Sequence, residues 1–235
     1  MRHSGKRQVG PSVYIDVIDG GQVTESAEEY ERRMQEEMSG IYRDGLDVWR
    51  TEDVVRAPYR YLAGVLGDAI GGCRVLDIGC GRGVDVAALA AAGAVATGVD
   101  IVRFPEWEGI RQRNPGARFL HGNLIELSRE GHLPDEHFDA AIDTGCTHHQ
   151  HPERITPFVE SVHRTLRAGA TLVIETFGAE AGGVLMRNEM GRLYRDYTVA
   201  EFTGFLGDHG FRSQVVHKLS RGPGLHCLVG VFTRV

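Results

Sequence analysis

The run Val75-Leu76-Asp77-Ile78-Gly79-Cys80-Gly81-Arg82-Gly83 decides how the rest of the chain is read. Arg74–Ile78 is apolar enough for a buried strand, and the alternate glycines after it let the backbone turn tightly and approach a ligand. Residues 84–92 follow as an alanine-rich helix stopped by Gly93. Residues 95–99 read as the next strand, closed by Asp100, about where an acidic residue accepts hydrogen bonds from a ribose diol. No Lys-Ser/Thr pair follows the glycines, so the loop is not a Walker A motif. The third glycine also comes one place too early for a dinucleotide fingerprint. An adenosine ligand without a pyrophosphate suits it better.

The alternation continues downstream. Residues 105–113 form a helical pattern broken at Asn114-Pro115-Gly116, and 117–120 and 138–142 read as third and fourth strands. Pro152 opens an amphipathic helix with Ile155, Phe158, Val159, Val162 and Leu166 on one face; Gly169 closes it, and 171–177 is a fifth strand. Strands separated by helices imply a parallel sheet covered on both faces. The end departs from that rhythm. Thr198 and Glu201 form a capping box ahead of Phe202, Phe205 and Leu206, and Gly210 ends that helix. Strands at 211–219 and 225–232 then meet through Arg221-Gly222-Pro223-Gly224. The expected fold is doubly wound α/β, with a mostly parallel seven-stranded sheet ending in an antiparallel hairpin.

Upstream, residues 1–24 read as a tail or a short strand at 13–18 that ends in Asp19-Gly20-Gly21. Ser26 and Glu29 make a capping box, and Tyr30, Met34, Met38 and Ile41 follow at helical spacing. A second helix starts near Pro58, buries Leu62, Val65, Leu66 and Ile70, and stops at Gly71-Gly72. We expect 25–72, with Tyr42, Trp49, Tyr59 and Tyr61, to form a helical lid over a domain of residues 73–235. The connection from Phe177 to Tyr197, with Met186, Met190 and Tyr194, is long enough to be a functional loop or second lid. The plainer reading of these aromatics is that they complete the core.

The 235 residues suffice for one domain with a buried core and a modest appendage. The net charge is −6 and no basic block stands out, so a phosphate-backbone partner is not expected. No apolar run approaches a membrane span. The basic start, Met1 to Arg7, lacks an apolar segment after it, so a secretory signal is not expected and the expected address is the cytoplasm. Cys73, Cys80, Cys146 and Cys227 lie far apart without a C-x-x-C pair, which fits a reducing compartment rather than a disulfide or zinc framework.

With its glycine loop, Asp100, strand–helix alternation and terminal hairpin, the stretch from Arg74 to Val235 resembles the class I, Rossmann-like methyltransferases. The resemblance implies S-adenosylmethionine as cofactor and S-adenosylhomocysteine as product. It implies that Gly79, Cys80, Gly81 and Gly83 pack against the methionine part, supported by Asp77. Asp100, with Ile101 beside it, would hold the ribose. Asn123, followed by Leu124, stands where the family usually carries an Asp that meets the adenine amino group; an Asn side-chain oxygen can also accept there. Asp143 would line the cofactor from the end of the fourth strand. Cys80, with no neighbour to make it a thiolate, reads as a small filler rather than a nucleophile.

The segment after the fourth strand, Asp143-Thr144-Gly145-Cys146-Thr147-His148-His149-Gln150-His151, resembles the family's Gly-Cys-Phe-His-His runs, with Thr147 in place of the aromatic. It lacks the Asn/Asp-Pro-Pro-Tyr/Phe run of enzymes that modify base amino groups or glutamine. Methyl transfer needs alignment and desolvation, and a base only where the nucleophile is protonated. His149, or else His148, is the candidate base. Alternatively one histidine buries against the sheet and the other caps the Pro152 helix. A metal held by Cys146, His148, His149 and His151 is not expected, since catechol-type sites rely on oxygen ligands.

The sequence thus points to methylation of a small-molecule acceptor at O, N or C, by a monomer or homodimer acting without nucleic acid or membrane. Rival readings are a protein or RNA methyltransferase, and a cofactor-binding module without methyl transfer.

Overall fold

The computed structural model describes residues 6–10, 13–19, 22–46, 56–222 and 224–235. The chain begins with β1 (Lys6–Gly10), β2 (Val13–Ile18), α1 (Ala27–Arg43) and α2 (Ala57–Leu66). The glycine-loop half follows as β3 (Arg74–Ile78), α3 (Val84–Ala91), β4 (Val95–Asp100), α4 (Glu106–Arg113), β5 (Ala117–His121) and α5 (Leu124–Arg129). Next come β6 (Phe138–Thr144), α6 (Ile155–Thr165) and β7 (Leu166–Gly178). The last third holds β8 (Leu185–Arg187), β9 (Leu193–Tyr197), α7 (Val199–Asp208), β10 (Phe211–Gly222) and β11 (Leu225–Arg234).

Seven strands form the main sheet in the order β5-β4-β3-β6-β7-β11-β10. The five strands from β5 to β7 are mutually parallel, and β11 and β10 add the antiparallel hairpin. Val75, Leu76, Ile78, Ala140, Ala141 and Ile142 are buried on both faces of the middle strands, as a covered parallel sheet requires. One face packs against Leu62 of α2, Val86 and Leu89 of α3 and Ile110 of α4. The opposite face packs against Leu124 and Leu127 of α5, Phe158 and Val162 of α6, and Phe202 and Leu206 of α7. The expected doubly wound seven-stranded sheet is the one observed.

A second, antiparallel layer extends from it, in the order β1-β2-β8-β9, and β9 joins β7 at Phe177 and Gly178. Tyr30 and Met34 of α1 bury against Leu185 and Leu193 of this layer. The connection expected as a loop is therefore a strand pair, completed by the N-terminal strands, and β1 forms a strand within the expected tail. These strands are short, and their order comes from pairing between segments far apart in the chain rather than from local alternation.

Other boundaries also move. Val65 is exposed, while Leu62 and Ile70 are buried and Leu66 is half-buried: α2 buries the face that carries Pro58 and Leu62, and Ile70 follows in a 3-10 turn at Gly67–Ile70. The helix expected from Pro152 begins at Ile155, after a turn. Leu166 already belongs to β7, and Gly169, at φ +76°, sits where the β6–β7 register shifts. The short helix α5 was not anticipated. Trp49, Gly20, Gly21 and Pro223 lie outside the described residues.

Candidate active site

The carboxyl ends of β3, β4, β6 and β7 share one edge of the sheet, where ligands bind in open α/β folds. The loop after β3 is built as its glycines demand. Gly79, Gly81 and Gly83 adopt φ of +70°, +50° and +81°, the left-handed region that side chains resist. The Gly79 and Cys80 amides donate to the Val99 carbonyl at 2.8 and 3.1 Å, tying the loop to β4. A Cβ at Gly79 would stand 2.0 Å from Cys146 Sγ, and one at Gly83 2.6 Å from the Phe119 ring.

Asp100 does not stand alone at the end of β4. Its Oδ2 accepts the Gly81 amide at 2.8 Å and its Oδ1 the Val102 amide at 2.8 Å. The Gly81 carbonyl in turn accepts Trp107 Nε1–H at 2.8 Å, and Trp107 stacks on Phe119 with centroids 4.9 Å apart. The Gly81 peptide is thus gripped on both sides. Asp77 is 3% exposed, and its carboxyl is raised well above the usual range by burial and then by Asp85, Asp100 and Asp143. Burial likewise raises Asp100, against the amide bonds it accepts. The Cys80 thiol is pushed up by burial and by Asp77 and Asp100, so it is no thiolate.

Three residues nominated for the cofactor make local bonds of their own. Asn123 caps α5, its Oδ1 accepting the Ile125 amide at 2.8 Å. Leu124 is buried beside it, and the Ile101 carbonyl accepts Gln35 Nε2–H of α1 at 2.9 Å. Asp143 accepts the Cys146 amide at 2.6 Å and the Thr147 amide at 3.0 Å, together with the Thr147 hydroxyl. Burial outweighs these bonds and pushes Asp143 up to about 6. Its carboxylate therefore holds the turn that presents the histidines, and Thr147 supplies part of that hold.

His148 and His149 are brought together, in a 3-10 turn at Thr147–His149, with their Nε2 atoms 3.1 Å apart. His149 Nδ1 lies 2.7 Å from the Leu193 carbonyl, which can only accept, so His149 carries its hydrogen on Nδ1. Its Nε2 then offers a lone pair to the hydrogen on His148 Nε2. Burial, and then Arg192, depress His149 to about 3, and burial with His149 depresses His148 well below its ordinary value. Both rings are neutral at physiological pH. Neither caps α6, whose N-cap is Arg154.

Tyr30, read from sequence only as an apolar-face residue of α1, completes this end. Its hydroxyl donates to the His149 carbonyl at 2.7 Å and accepts the Leu193 amide at 3.2 Å. Tyr42 stands over the glycine loop: a Cβ at Gly81 would be 3.3 Å from its hydroxyl, and Arg82 Nη2 donates to its carbonyl at 2.9 Å. Trp107 and Tyr30 carried no motif; the signal available for each was a polar ring atom on an otherwise apolar helix face. Among the described residues no group of three or more His, Cys, Asp or Glu could hold a metal ion. No helix among them is long and apolar enough to cross a membrane.

A family model for the methyltransferase domain matches residues 75–169. The solved structure of 1,6-didemethyltoxoflavin-N1-methyltransferase from Burkholderia thailandensis, with 1,6-didemethyltoxoflavin and S-adenosylhomocysteine bound, is 31% identical with a TM-score of 0.88. That likeness covers 98% of this chain and 99% of the other. An S-adenosylmethionine-dependent methyltransferase from Methanosarcina mazei is 25% identical over 70% of this chain and 93% of its own, with a TM-score of 0.55. One from Mesorhizobium loti, 19% identical over 77% of this chain and 100% of its own at a TM-score of 0.57, shares the fold. The curated protein sequences contain no significant match. The chain belongs to the class I S-adenosylmethionine-dependent methyltransferases. It is an enzyme whose methyl donor is S-adenosylmethionine.

The residues present fit that donor. Asp77, Asp100 and Asp143 crowd around the glycine loop, each raised by burial, and Asp77 is raised further by the other two. A ligand bearing sulfonium and ammonium charges relieves such a cluster, whereas an anionic phosphate would aggravate it.

Proposed function

We propose that this enzyme methylates a small, nitrogen-rich heterocycle. The observation that carries the reading is the extent of the likeness to the Burkholderia thailandensis enzyme, which spans the N-terminal strands and α1 as well as the sheet. The M. mazei and M. loti structures leave 30% and 23% of this chain uncovered, by subtraction from their 70% and 77% coverage.

In this reading Asp100 holds the ribose hydroxyls while Gly79, Cys80, Gly81 and Gly83 line the methionine part, with Asp77 beneath. Ile101, Asn123 and Leu124 border the adenine, and Asp143 supports the turn beside the methyl group. When bound, S-adenosylmethionine supplies an electrophilic methyl carbon. The chain's own task is to align the acceptor, exclude water and receive any proton the nucleophile loses. The His148–His149 pair is the proton acceptor: His149 Nδ1 is held by the Leu193 carbonyl, and the methyl acceptor must displace His148 from His149 Nε2 to deliver its proton there. Residues 73–235 act as the catalytic domain and 25–72 as its lid, with 1–24 as an appendage. The four cysteines are all free, which supports a cytoplasmic address.

The test is to incubate the protein with S-adenosylmethionine and 1,6-didemethyltoxoflavin, or a panel of related purine- and pteridine-like rings, and follow methylated product by mass spectrometry. Gain of one methyl group is the expected result. No product from any ring, with S-adenosylhomocysteine still bound, would overturn the acceptor class and leave the donor site standing.

A further inference from the structure

Glu31, Gln35, Met38 and Tyr42 recur at i, i+4, i+7 and i+11, so they share one stripe of α1. That stripe follows the carboxyl edge of the sheet. Tyr42 stands over Gly81, and Met38 packs with Ile101 against Val102 and Phe104. Gln35 Nε2–H donates to the Ile101 carbonyl at 2.9 Å, and Glu31, one turn further back, lies beside the Asn123 side chain. One face of one helix thus runs from the glycine loop, past the end of β4, to the end of β5. Ile101 and Asn123, which it meets there, are the residues assigned above to the adenine.

Adenine carries an exocyclic amine, a donor that needs an acceptor. Two acceptors at this end of the cleft are already engaged. Asn123 Oδ1 takes the Ile125 amide at 2.8 Å as the N-cap of α5, which leaves its NH2 as the group it offers most freely. The Ile101 carbonyl takes Gln35, with His121 Nε2 a further 3.1 Å contact.

Glu31 differs from both. Its side chain is 28% exposed, so the carboxyl is partly withdrawn from water yet still reachable. Oε1 faces Arg154 Nε at 3.1 Å, and Arg154 Nη2 also donates to Glu28 Oε1 at 2.6 Å. Burial raises the Glu31 carboxyl, while Arg154 and then the Asn123 side chain lower it. A carboxylate has about four acceptor directions, so these two neighbours leave room for an amine.

We infer that Glu31 accepts the adenine amine, and that α1 thereby selects a 6-amino purine nucleoside over a 6-oxo one. A carboxylate can only accept, so a 6-oxo group would set oxygen against oxygen, whereas an Asn or Gln amide can turn either end to the base. The bond to a charged oxygen is also stronger than one to a neutral amide. Occupation of the site then joins α1 to the ends of β4 and β5 through the base itself. The assignment rests on the cofactor placement proposed above and adds the residue that chooses the base.

The test titrates the full-length protein calorimetrically with S-adenosylhomocysteine and with S-inosylhomocysteine, in which an oxo group replaces the amine. Wild type is expected to prefer the amine by at least about tenfold, the scale of one charge-assisted hydrogen bond. Glu31→Gln keeps the size of the side chain and adds a donor. It is expected to weaken S-adenosylhomocysteine and strengthen S-inosylhomocysteine, so that the preference falls about tenfold. Arg154→Gln breaks the same ion pair from the other side and leaves the carboxylate in place. It is expected to lower Tm and keep the wild-type preference. An unchanged preference in Glu31→Gln overturns the assignment. So does a loss in Arg154→Gln as large as that in Glu31→Gln, which would reduce Glu31 to an anchor for α1. A wild type that binds both ligands equally overturns the assignment without any variant and leaves the cofactor site standing. A folded wild type that binds neither overturns the cofactor placement together with it.

Discussion

The Nε2 atoms of His148 and His149 lie 3.1 Å apart, with the outer nitrogen of His149 fixed 2.7 Å from the Leu193 carbonyl. Two neutral imidazoles joined in this way share one hydrogen between their Nε2 atoms without carrying charge. Burial depresses His149 to about 3, so it stays neutral from the alkaline range down through mildly acidic pH. Methyl-transfer rate should therefore show no histidine limb between about pH 5 and 8, where an ordinary imidazole titrates. His149→Asn should lower kcat with little change in S-adenosylhomocysteine affinity. A limb with a midpoint near 6.5 in wild type, absent from His149→Asn, would contradict the neutral pair.

The same shift has a consequence for stability. Below about pH 6.5 the unfolded chain protonates these two histidines, while folded His149 holds no proton until about 3. Their contribution is thus present above about pH 6.5 and declines as pH falls through that window. Asp143, raised to about 6, acts oppositely: its protonated form favours the fold below that pH, and this is lost as pH rises from about 4 to 6. Urea midpoints measured from pH 7 to 5 should fall less steeply for His149→Asn than for wild type. An identical slope in both proteins would place the pH dependence elsewhere.

Tyr30 ties α1 to both ends of this arrangement, through the His149 carbonyl and the Leu193 amide. Tyr30→Phe keeps the ring and strands both backbone groups. The expected cost is about 1–3 kcal/mol, read as a lower Tm, together with a slower turnover. A fully stable Tyr30→Phe that turns over normally would show that water replaces the hydroxyl without loss.

Gly79 carries two demands at once, φ of +70° and the absence of a Cβ where Cys146 Sγ packs. Gly79→Ala should cost about 1–2 kcal/mol for the backbone and about 1–3 kcal/mol for overpacking. Adding Cys146→Ala removes the clash and leaves the backbone strain, so the double variant should recover part of the loss. Strict additivity of the two changes in a double-mutant cycle would show that Cys146 does not meet the new methyl group.

The main sheet was legible because its signals are local. The glycine loop, Asp100 at a strand end and the Thr198 and Ser26 capping boxes each lie within a few residues of what they specify. The antiparallel layer was not legible in that way. Its register sets Asp16 against Arg187 and Leu185 against Arg195, pairings that no single segment announces. At the site, motif spacing nominated residues for the cofactor but did not show how Asp143 and Asn123 spend their oxygens on neighbouring amides. Trp107 clamps Gly81 from a helix that the sequence marks only by its pattern, and Val65 stays exposed on the flank of α2 despite its apolar side chain.

Calorimetric titration with S-adenosylhomocysteine tests most directly whether the loop at Gly79–Gly83, braced by Asp100, binds the cofactor. Wild type is expected to bind near the micromolar range. Asp100→Ala loses both the brace on the Gly81 amide and the proposed ribose contact, and should bind at least about tenfold more weakly, the loss of one charge-assisted hydrogen bond. Equal affinity in the two proteins, with both folded, would contradict the account.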